Sequence, residues 1–313
     1  METKELFVWS ESYRPKTIDD CVLPEDLRGI FRGIIEAETI PNLLLSGGPG
    51  VGKTSVARVL CEQAEYDYMF INSSLDGNID TLRTTIQQFA SSASLTDARK
   101  AVILDEADRL SAHTQDALKG FIEAFPCTFI LTSNTKNKII APLHSRCNVI
   151  DFVFKKEDKK SLCLAFLKRL EKILTEQGIE FNKQVLATVI VNRYPDFRKT
   201  INFIQTYTMK NRVLDEGILT RDLNTDLAPL IVAMRTKEYL HVRQWVVDNL
   251  DNDAIQLYRK IYDGIQSHIE PTSIPGVVIL TADYMFKNSF VADPEVCILA
   301  YLTEIMGNVD WKK

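Results

Sequence analysis

The chain has 313 residues, more than the ~100–200 usual for one domain, so two or three domains are expected. Hydrophobic residues make up 45% and charged residues 25%, a composition that supports packed cores and excludes a disordered or fibrous chain. The formal net charge of −5 argues against coating nucleic acid through bulk electrostatics, and no stretch approaches the ~20 uninterrupted apolar residues of a membrane helix. The first residues, Met1–Glu5, are polar and acidic, so no secretory signal is expected there. None of the six cysteines pairs as CxxC; they read as small core hydrophobes of a reducing compartment, not as zinc ligands or disulfides. Charge is distributed unevenly, at −6 for 1–154, +5 for 155–222 and −4 for 223–313, which suggests separate modules.

From Pro41 onward short apolar strands alternate with amphipathic helices. The first strand, Asn42–Ser46, runs into Gly47-Gly48-Pro49-Gly50-Val51-Gly52-Lys53-Thr54, a GxxxxGK[ST] motif placed between a strand and the helix Thr54–Gln63. Glycines let such a loop curl so that backbone N–H groups converge on phosphate at the positive end of the helix dipole. Gly48, Pro49, Gly50, Val51, Gly52 and Ser55 would form the cradle. Lys53 would neutralise the β- and γ-phosphates of ATP, and the Thr54 hydroxyl would ligate Mg²⁺.

The strand Met69–Asn72 and the helix Ile79–Ser91 follow. The strand Ala101–Asp105 then delivers two carboxylates at its end, in Asp105-Glu106-Ala107-Asp108. That is a Walker B arrangement, with Asp105 in the Mg²⁺ shell and Glu106 as general base on the attacking water. The string Asp-Glu-Ala-Asp also invites a helicase reading, which the absence of a second RecA-like half argues against. After the helix Thr114–Ala124, the strand Thr128–Ser133 ends at Asn134, placed to touch the γ-phosphate or the water. A turn near Ile139–His144 and a strand Val149–Phe154 complete the pattern. Near-continuous apolar strands with helical crossovers predict a parallel sheet covered on both faces, an α/β domain over 1–154.

After Phe154 the strand signal stops. Helices are predicted over Lys155–Gln177, with Gly178 as its C-cap, over Asn182–Asn192 and over Asp196–Asn211, with Pro195 near the start of the last. These form a small helical domain over 155–225. A larger all-α domain over 226–313 would hold helices Leu227–Thr236, Glu238–Leu250, Ala254–His268, Ile274–Phe286 and Pro294–Met306.

With these motifs in place, the chain resembles the AAA+ clamp-loader ATPases: replication factor C small subunits and, more closely, the large subunits of T4-type phage clamp loaders. Four stretches carry the resemblance. They are the Arg-Pro box from Trp9 to Asp20, the Walker B segment Leu104–Asp108, the stretch Pro142–Cys147 with its Ser145-Arg146-Cys147 motif, and Tyr194–Asn202 on a sensor-2 helix. The resemblance implies an AAA+ P-loop core, a helical lid and an all-α collar. It implies that Arg146 reaches the ATP of a neighbouring subunit as an arginine finger, and that Arg198 touches the ATP bound by its own subunit. Ser10, Glu11, Ser12, Tyr13 and Val22 are implied to cover adenine and ribose. DNA phosphates would be tracked by Asn78, Ile79, Thr81 and Arg83 at one helix start, by Ser111 at another and by Lys136 on a loop, with Asp80 an odd neighbour that suits an N-cap. Phe121 and Phe125 are candidates for clamp contact that core packing explains equally well. The implied partners are a sliding clamp, primer–template DNA and other loader subunits in a pentamer, in the cytoplasm of a phage-infected bacterium.

Overall fold

The computed structural model describes residues 8–74, 79–92, 98–222, 227–249 and 254–312. Backbone contacts divide the chain into two compact units, Met1–Ile218 and Leu219–Lys313.

The first unit opens with a short helix α1 (Trp9–Ser12) and a loop leading to α2 (Glu25–Glu36). Helix α2 lies where the alternating pattern had assigned no element; its Leu27 and Phe31 are buried under the sheet, with the Phe31 ring 5.9 Å from that of Phe152. Then come β1 (Leu43–Gly47), α3 (Lys53–Gln63), β2 (Asp67–Asn72), α4 (Ile79–Ser91), β3 (Lys100–Asp105), α5 (Ala112–Ala124), β4 (Thr128–Ser133), α6 (Ala141–His144) and β5 (Asn148–Phe152). The five strands form one parallel sheet in the order β2-β3-β4-β1-β5.

Burial follows the period of two that a pleated strand imposes. Leu43, Leu45, Ile103 and Ile130 face a cluster with Phe31, Val56 and Leu60, while Leu44, Val102, Leu104 and Leu131 face one with Leu82, Ile86 and Leu118. Phe121 is buried in that second cluster and Phe125 packs beside it, their rings 5.7 Å apart, so both are part of the core of the domain. Because β4 lies between β1 and β3, the carboxyl ends of three neighbouring strands carry the glycine loop, Asp105-Glu106 and Asn134 side by side. In an open parallel sheet that edge is where ligands bind.

The lid continues the first unit with α7 (Asp158–Glu176), β6 (Glu180–Phe181), α8 (Lys183–Arg193), α9 (Phe197–Asn211) and β7 (Val213–Leu214). Strands do persist beyond Phe154: β6 and β7 pair in parallel as two residues each, Glu180↔Val213 and Phe181↔Leu214. A two-residue ladder is too short to write an alternating pattern into the sequence. Gly178, at φ +65°, follows the last residues of α7 as expected of a glycine C-cap. Phe166, Phe197 and Phe154 stack in series across the lid, with centroids 4.7 Å apart for the first pair and 6.1 Å for the second.

Helix α10 (Gly217–Asp222) spans the division between the units. The second unit holds α11 (Leu227–Thr236), α12 (Tyr239–Asn249), α13 (Ala254–Ile265), α14 (Ile274–Asn288) and α15 (Pro294–Asn308) around one apolar core. Tyr301 is fully buried there, its ring 5.0 Å from Tyr258 and its hydroxyl 2.7 Å from that of Thr281. No described helix is long and apolar enough to cross a membrane.

Candidate functional site

One pocket in the first unit gathers most of the residues singled out in the sequence. Pro49, Gly50, Val51, Gly52, Lys53, Thr54 and Ser55 line it from the glycine loop, Asp105 and Glu106 from β3, Asn134 from β4, Ser10, Tyr13 and Val22 from the N-terminal segment, and Arg198 from α9. Glu11, Ser12, Gly48 and Arg146 are not in its lining. Glu11 instead holds Arg14, a pocket residue, in a two-pronged ion pair with both hydrogen bonds at 2.8 Å. Ser12 is exposed, its hydroxyl donating to the Val8 carbonyl at 3.2 Å.

The loop takes its shape from two left-handed residues, Gly50 at φ +72° and Gly52 at φ +99°. Inside the curl Lys53 is buried, its ammonium donating to the carbonyls of Gly47 at 2.8 Å and Gly48 at 2.7 Å and to Asn134 Oδ1 at 2.9 Å. Desolvation pulls its pKa down to about 8, against the opposing pull of Asp105 and Asp108. Thr54 Oγ1 donates to Asp105 Oδ1 at 2.6 Å, and Thr132 Oγ1 donates to the same carboxylate oxygen at 2.7 Å. The chemistry of this donor set suits Mg²⁺, which takes hard oxygen ligands and needs only one or two from protein when phosphates complete its shell. Among the described residues no group of three or more His, Cys, Asp or Glu converges as a metal cage.

Glu106 sits in a left-handed conformation, φ 55° and ψ 45°, where the strand turns into the next helical turn. A non-glycine residue there costs roughly 1–3 kcal/mol and persists where its surroundings over-determine it. Its N–H donates to Thr132 Oγ1 at 3.0 Å, and its carboxylate accepts from Ser74 Oγ at 2.5 Å. Asn134 is held in turn by its N–H, donating to the buried Asp108 at 3.2 Å.

Sequence reasoning missed Thr132, Ser74 and Asp196. Thr132 stood in view in Thr-Ser-Asn, but only the neighbouring strands reveal that its hydroxyl bridges both Walker B residues. Asp196 caps α9, accepting from the Lys199 N–H at 2.8 Å, while the next amide, Phe197 N–H, donates to the Gly50 carbonyl at 3.2 Å. The start of α9 therefore rests on the glycine loop. A Cβ at Gly50 would fall 1.8 Å from Asp196 Oδ1. Gly50→Ala is expected to cost about 1–2 kcal/mol from the backbone alone, and more from this overlap. Thermal melts and triphosphate titrations should both show the loss, and adding Asp196→Ala should relieve part of it.

Lys53 supplies a pH test. Its folded pKa lies below the unfolded value of 10.5, so the free protein carries a stability penalty that is full below about 8 and is relieved progressively as pH rises from about 8 to 10.5. Binding an anionic triphosphate favours the ammonium form, so binding should take up protons increasingly as pH climbs past about 8. Calorimetry in two buffers of different ionisation enthalpy, at about pH 7 and about pH 8.5, should show uptake only at the higher pH and none in Lys53→Met.

Arg146 follows α6, away from this pocket, with Nη2 2.6 Å and Nε 2.8 Å from Glu123 Oε1 and Nη1 donating to the Pro142 carbonyl at 3.0 Å. Ile79, Thr81 and Arg83 begin α4, and Ser111 caps α5, accepting from the Thr114 N–H; Thr81, Arg83 and Ser111 are exposed. These helices follow β2 and β3, so their N-termini lie at the carboxyl edge of the sheet, as does Lys136 after β4. Lys136 is paired with Asp151 at 2.8 Å. Asn78 lies outside the described residues. All six cysteines are free thiols; burial pushes Cys21 and Cys61 up to about 12 and Cys127 and Cys147 to about 11, which leaves them unreactive.

Comparison with known proteins places the site in a family. Residues 43–155 match the ATPase family associated with various cellular activities (AAA), and residues 158–220 match the sliding-clamp-loader large subunit, AAA+ ATPase lid domain. The sliding-clamp-loader large subunit of Enterobacteria phage T4 is 33% identical over 313 residues, covering 97% of each chain. Its counterpart in Escherichia phage RB69 is 36% identical over 324 residues, again covering 97% of each. A replication factor C small subunit of Archaeoglobus fulgidus is 37% identical over 274 residues, 81% of this chain and 84% of that one. Among solved structures, the Thermotoga maritima RuvB Holliday junction branch migration motor superposes with a TM-score of 0.51 at 16% identity, over 68% of this chain and 72% of that one. That likeness is one of fold alone.

Proposed function

The chain belongs to the sliding-clamp-loader large-subunit family of AAA+ ATPases, and on that premise we propose that it hydrolyses ATP to open a sliding clamp and load it on primer–template DNA during replication. The observation that carries the catalytic part is the convergence of Lys53, Thr54, Asp105, Glu106, Asn134 and the lid residue Arg198 on one pocket. Mg²⁺, when bound, supplies charge neutralisation between the phosphates; Thr54 and Asp105 are the residues that would hold it. Lys53 draws charge from the β- and γ-phosphates, Glu106 takes the proton of the attacking water, and Asn134 positions the Lys53 ammonium or that water. Arg198 ties lid position to the nucleotide.

Arg146 acts on the nucleotide of a neighbouring subunit, a role supported by its standing outside the lining of its own pocket, on an exchangeable pair with Glu123. Exposed helix starts at the carboxyl edge of the sheet support contact with DNA phosphates through Ile79, Thr81, Arg83 and Ser111, with Lys136 exchanging Asp151 for phosphate. The three modules are an ATPase core over 1–154, a lid over 155–225 and a collar over 226–313. Exposed Leu240, Ile279, Phe286 and Phe290 on the second unit support the collar as the surface that joins subunits into a pentamer. The assembly works in the cytoplasm of the bacterial host, where ATP binding grips the clamp open and hydrolysis releases it around DNA.

The test is the steady-state ATPase rate of the purified assembly with and without clamp and primed DNA. Strong stimulation that requires both ligands is the expected result. A rate indifferent to the clamp would remove clamp loading and leave the ATPase standing.

A further inference from the structure

The lid contributes two arginines to the pocket lining, and the chemistry of hydrolysis uses only Arg198. The other is Arg169, on α7. Its Nη1 donates to the Asp20 carbonyl at 2.6 Å and its Nη2 to the Tyr13 carbonyl. A guanidinium is a rigid fork of donors, suited to bridging two acceptors at fixed spacing. The two carbonyls it bridges stand at the ends of one loop, residues 13–20. That loop and its flanks supply Tyr13, Pro15, Val22 and Leu23 to the pocket lining, alongside Phe166 and Ile201 from the lid. This is the apolar part of the pocket, in chemical contrast to the Lys53–Asp105–Glu106 part.

The loop is fastened on both sides. Toward the lid, Gln177 Nε2 donates to Tyr13 Oη at 2.8 Å, and the Trp9 N–H donates to Gln205 Oε1 on α9 at 2.9 Å. Toward the core, the Ile18 N–H donates to Gln63 Oε1 at 2.8 Å, while Ile18, Cys21 and Leu23 are buried in the cluster beneath the sheet. Desolvation holds the Arg169 guanidinium below its ordinary value, with Cys21 and Asp20 acting the other way. The arginine is thus a half-buried bolt between lid and loop, and neither of its two bonds goes to the phosphate end.

We propose that Arg169 is a positioning residue for the nucleotide base: it holds the loop wall against which the base packs, and through that wall it sets the preference for adenine. The proposal rests on the pocket being a nucleotide site. Loosening the wall should cost base recognition while leaving the phosphate cradle, which is built on other elements, intact.

The experiment measures equilibrium binding of ATP, GTP and inorganic tripolyphosphate to the full chain, as wild type, Arg169→Ala, Arg169→Lys and Gln177→Ala. Two hydrogen bonds from a charged donor predict a roughly ten- to hundredfold loss of ATP affinity in Arg169→Ala. The preference for ATP over GTP should shrink toward unity and tripolyphosphate affinity should not change. Arg169→Lys should fall between, and Gln177→Ala should shift ATP in the same direction by less. Equal losses for ATP and tripolyphosphate, a wild-type chain without base preference, or Arg169→Lys and Gln177→Ala both indistinguishable from wild type would overturn the proposal. A wild-type chain that binds neither ATP nor tripolyphosphate would instead overturn the nucleotide site itself.

Discussion

Replacing Glu106 by Gln is expected to lower the rate of ATP hydrolysis by about 10²–10⁴-fold while leaving nucleotide affinity nearly unchanged, because general-base catalysis contributes on that scale. The substitution keeps the side-chain volume and can keep the contact to Ser74 Oγ, seen at 2.5 Å. It also keeps the backbone anchor from the residue 106 N–H to Thr132 Oγ1 at 3.0 Å. What it removes is the capacity to accept a proton. The binding groups lie elsewhere: Lys53 on the loop and Thr54 paired with Asp105 at 2.6 Å. Single-turnover phosphate release, measured beside ATP binding, separates the two effects. A Glu106→Gln protein that hydrolyses within about tenfold of wild type would mean that another group takes the proton. Loss of binding together with rate would mean that Glu106 shapes the pocket itself.

Arg146→Ala is expected to reduce stimulated turnover by about 10³-fold or more, the scale on which an arginine finger in trans stabilises phosphoryl-transfer charge, and to leave ATP binding to the same subunit intact. In the isolated chain the Arg146 guanidinium rests on Glu123, 2.6 Å away and partly exposed. Such a surface pair contributes about 0–1 kcal/mol, so exchanging the carboxylate for a neighbour's phosphate costs little. Mixing separates a cis from a trans role. Assemblies made only of Arg146→Ala subunits, or only of Glu106→Gln subunits, should be inactive. Mixed assemblies should regain turnover where an intact Glu106 faces an intact Arg146 across a subunit boundary. Mixtures as inactive as their parents would place Arg146 in its own subunit's chemistry or in folding.

The sequence by itself determined the class of the fold and the identity of the phosphate chemistry. Continuous apolar runs such as Leu43–Leu45 and Ala101–Leu104, alternating with amphipathic helices, suit a sheet covered on both faces, and the glycine-lysine-threonine motif marks a phosphate cradle once a strand precedes it and a helix follows. These signals are local, so they are written in consecutive residues. Two helices were legible for the same reason: Ile79–Ser91 and Leu227–Thr236 agree with the observed ends.

Tertiary structure decided what depends on distance across the chain. The strand order β2-β3-β4-β1-β5 brings Thr132 onto both Asp105 and Glu106, a contact spanning more than twenty residues that no spacing rule encodes. Asp196 reads as a helix cap, and only folding sets it against Gly50, where any side chain would collide with it. Arg169 is one basic residue on a helix face, until two backbone carbonyls from the far N-terminal segment turn it into a fastening of the pocket wall. A hydrogen bond is directional and short-ranged, whereas a hydrophobic pattern is neither. The pattern can therefore be read along the chain, and the bonds that tune the site can be read only in the fold.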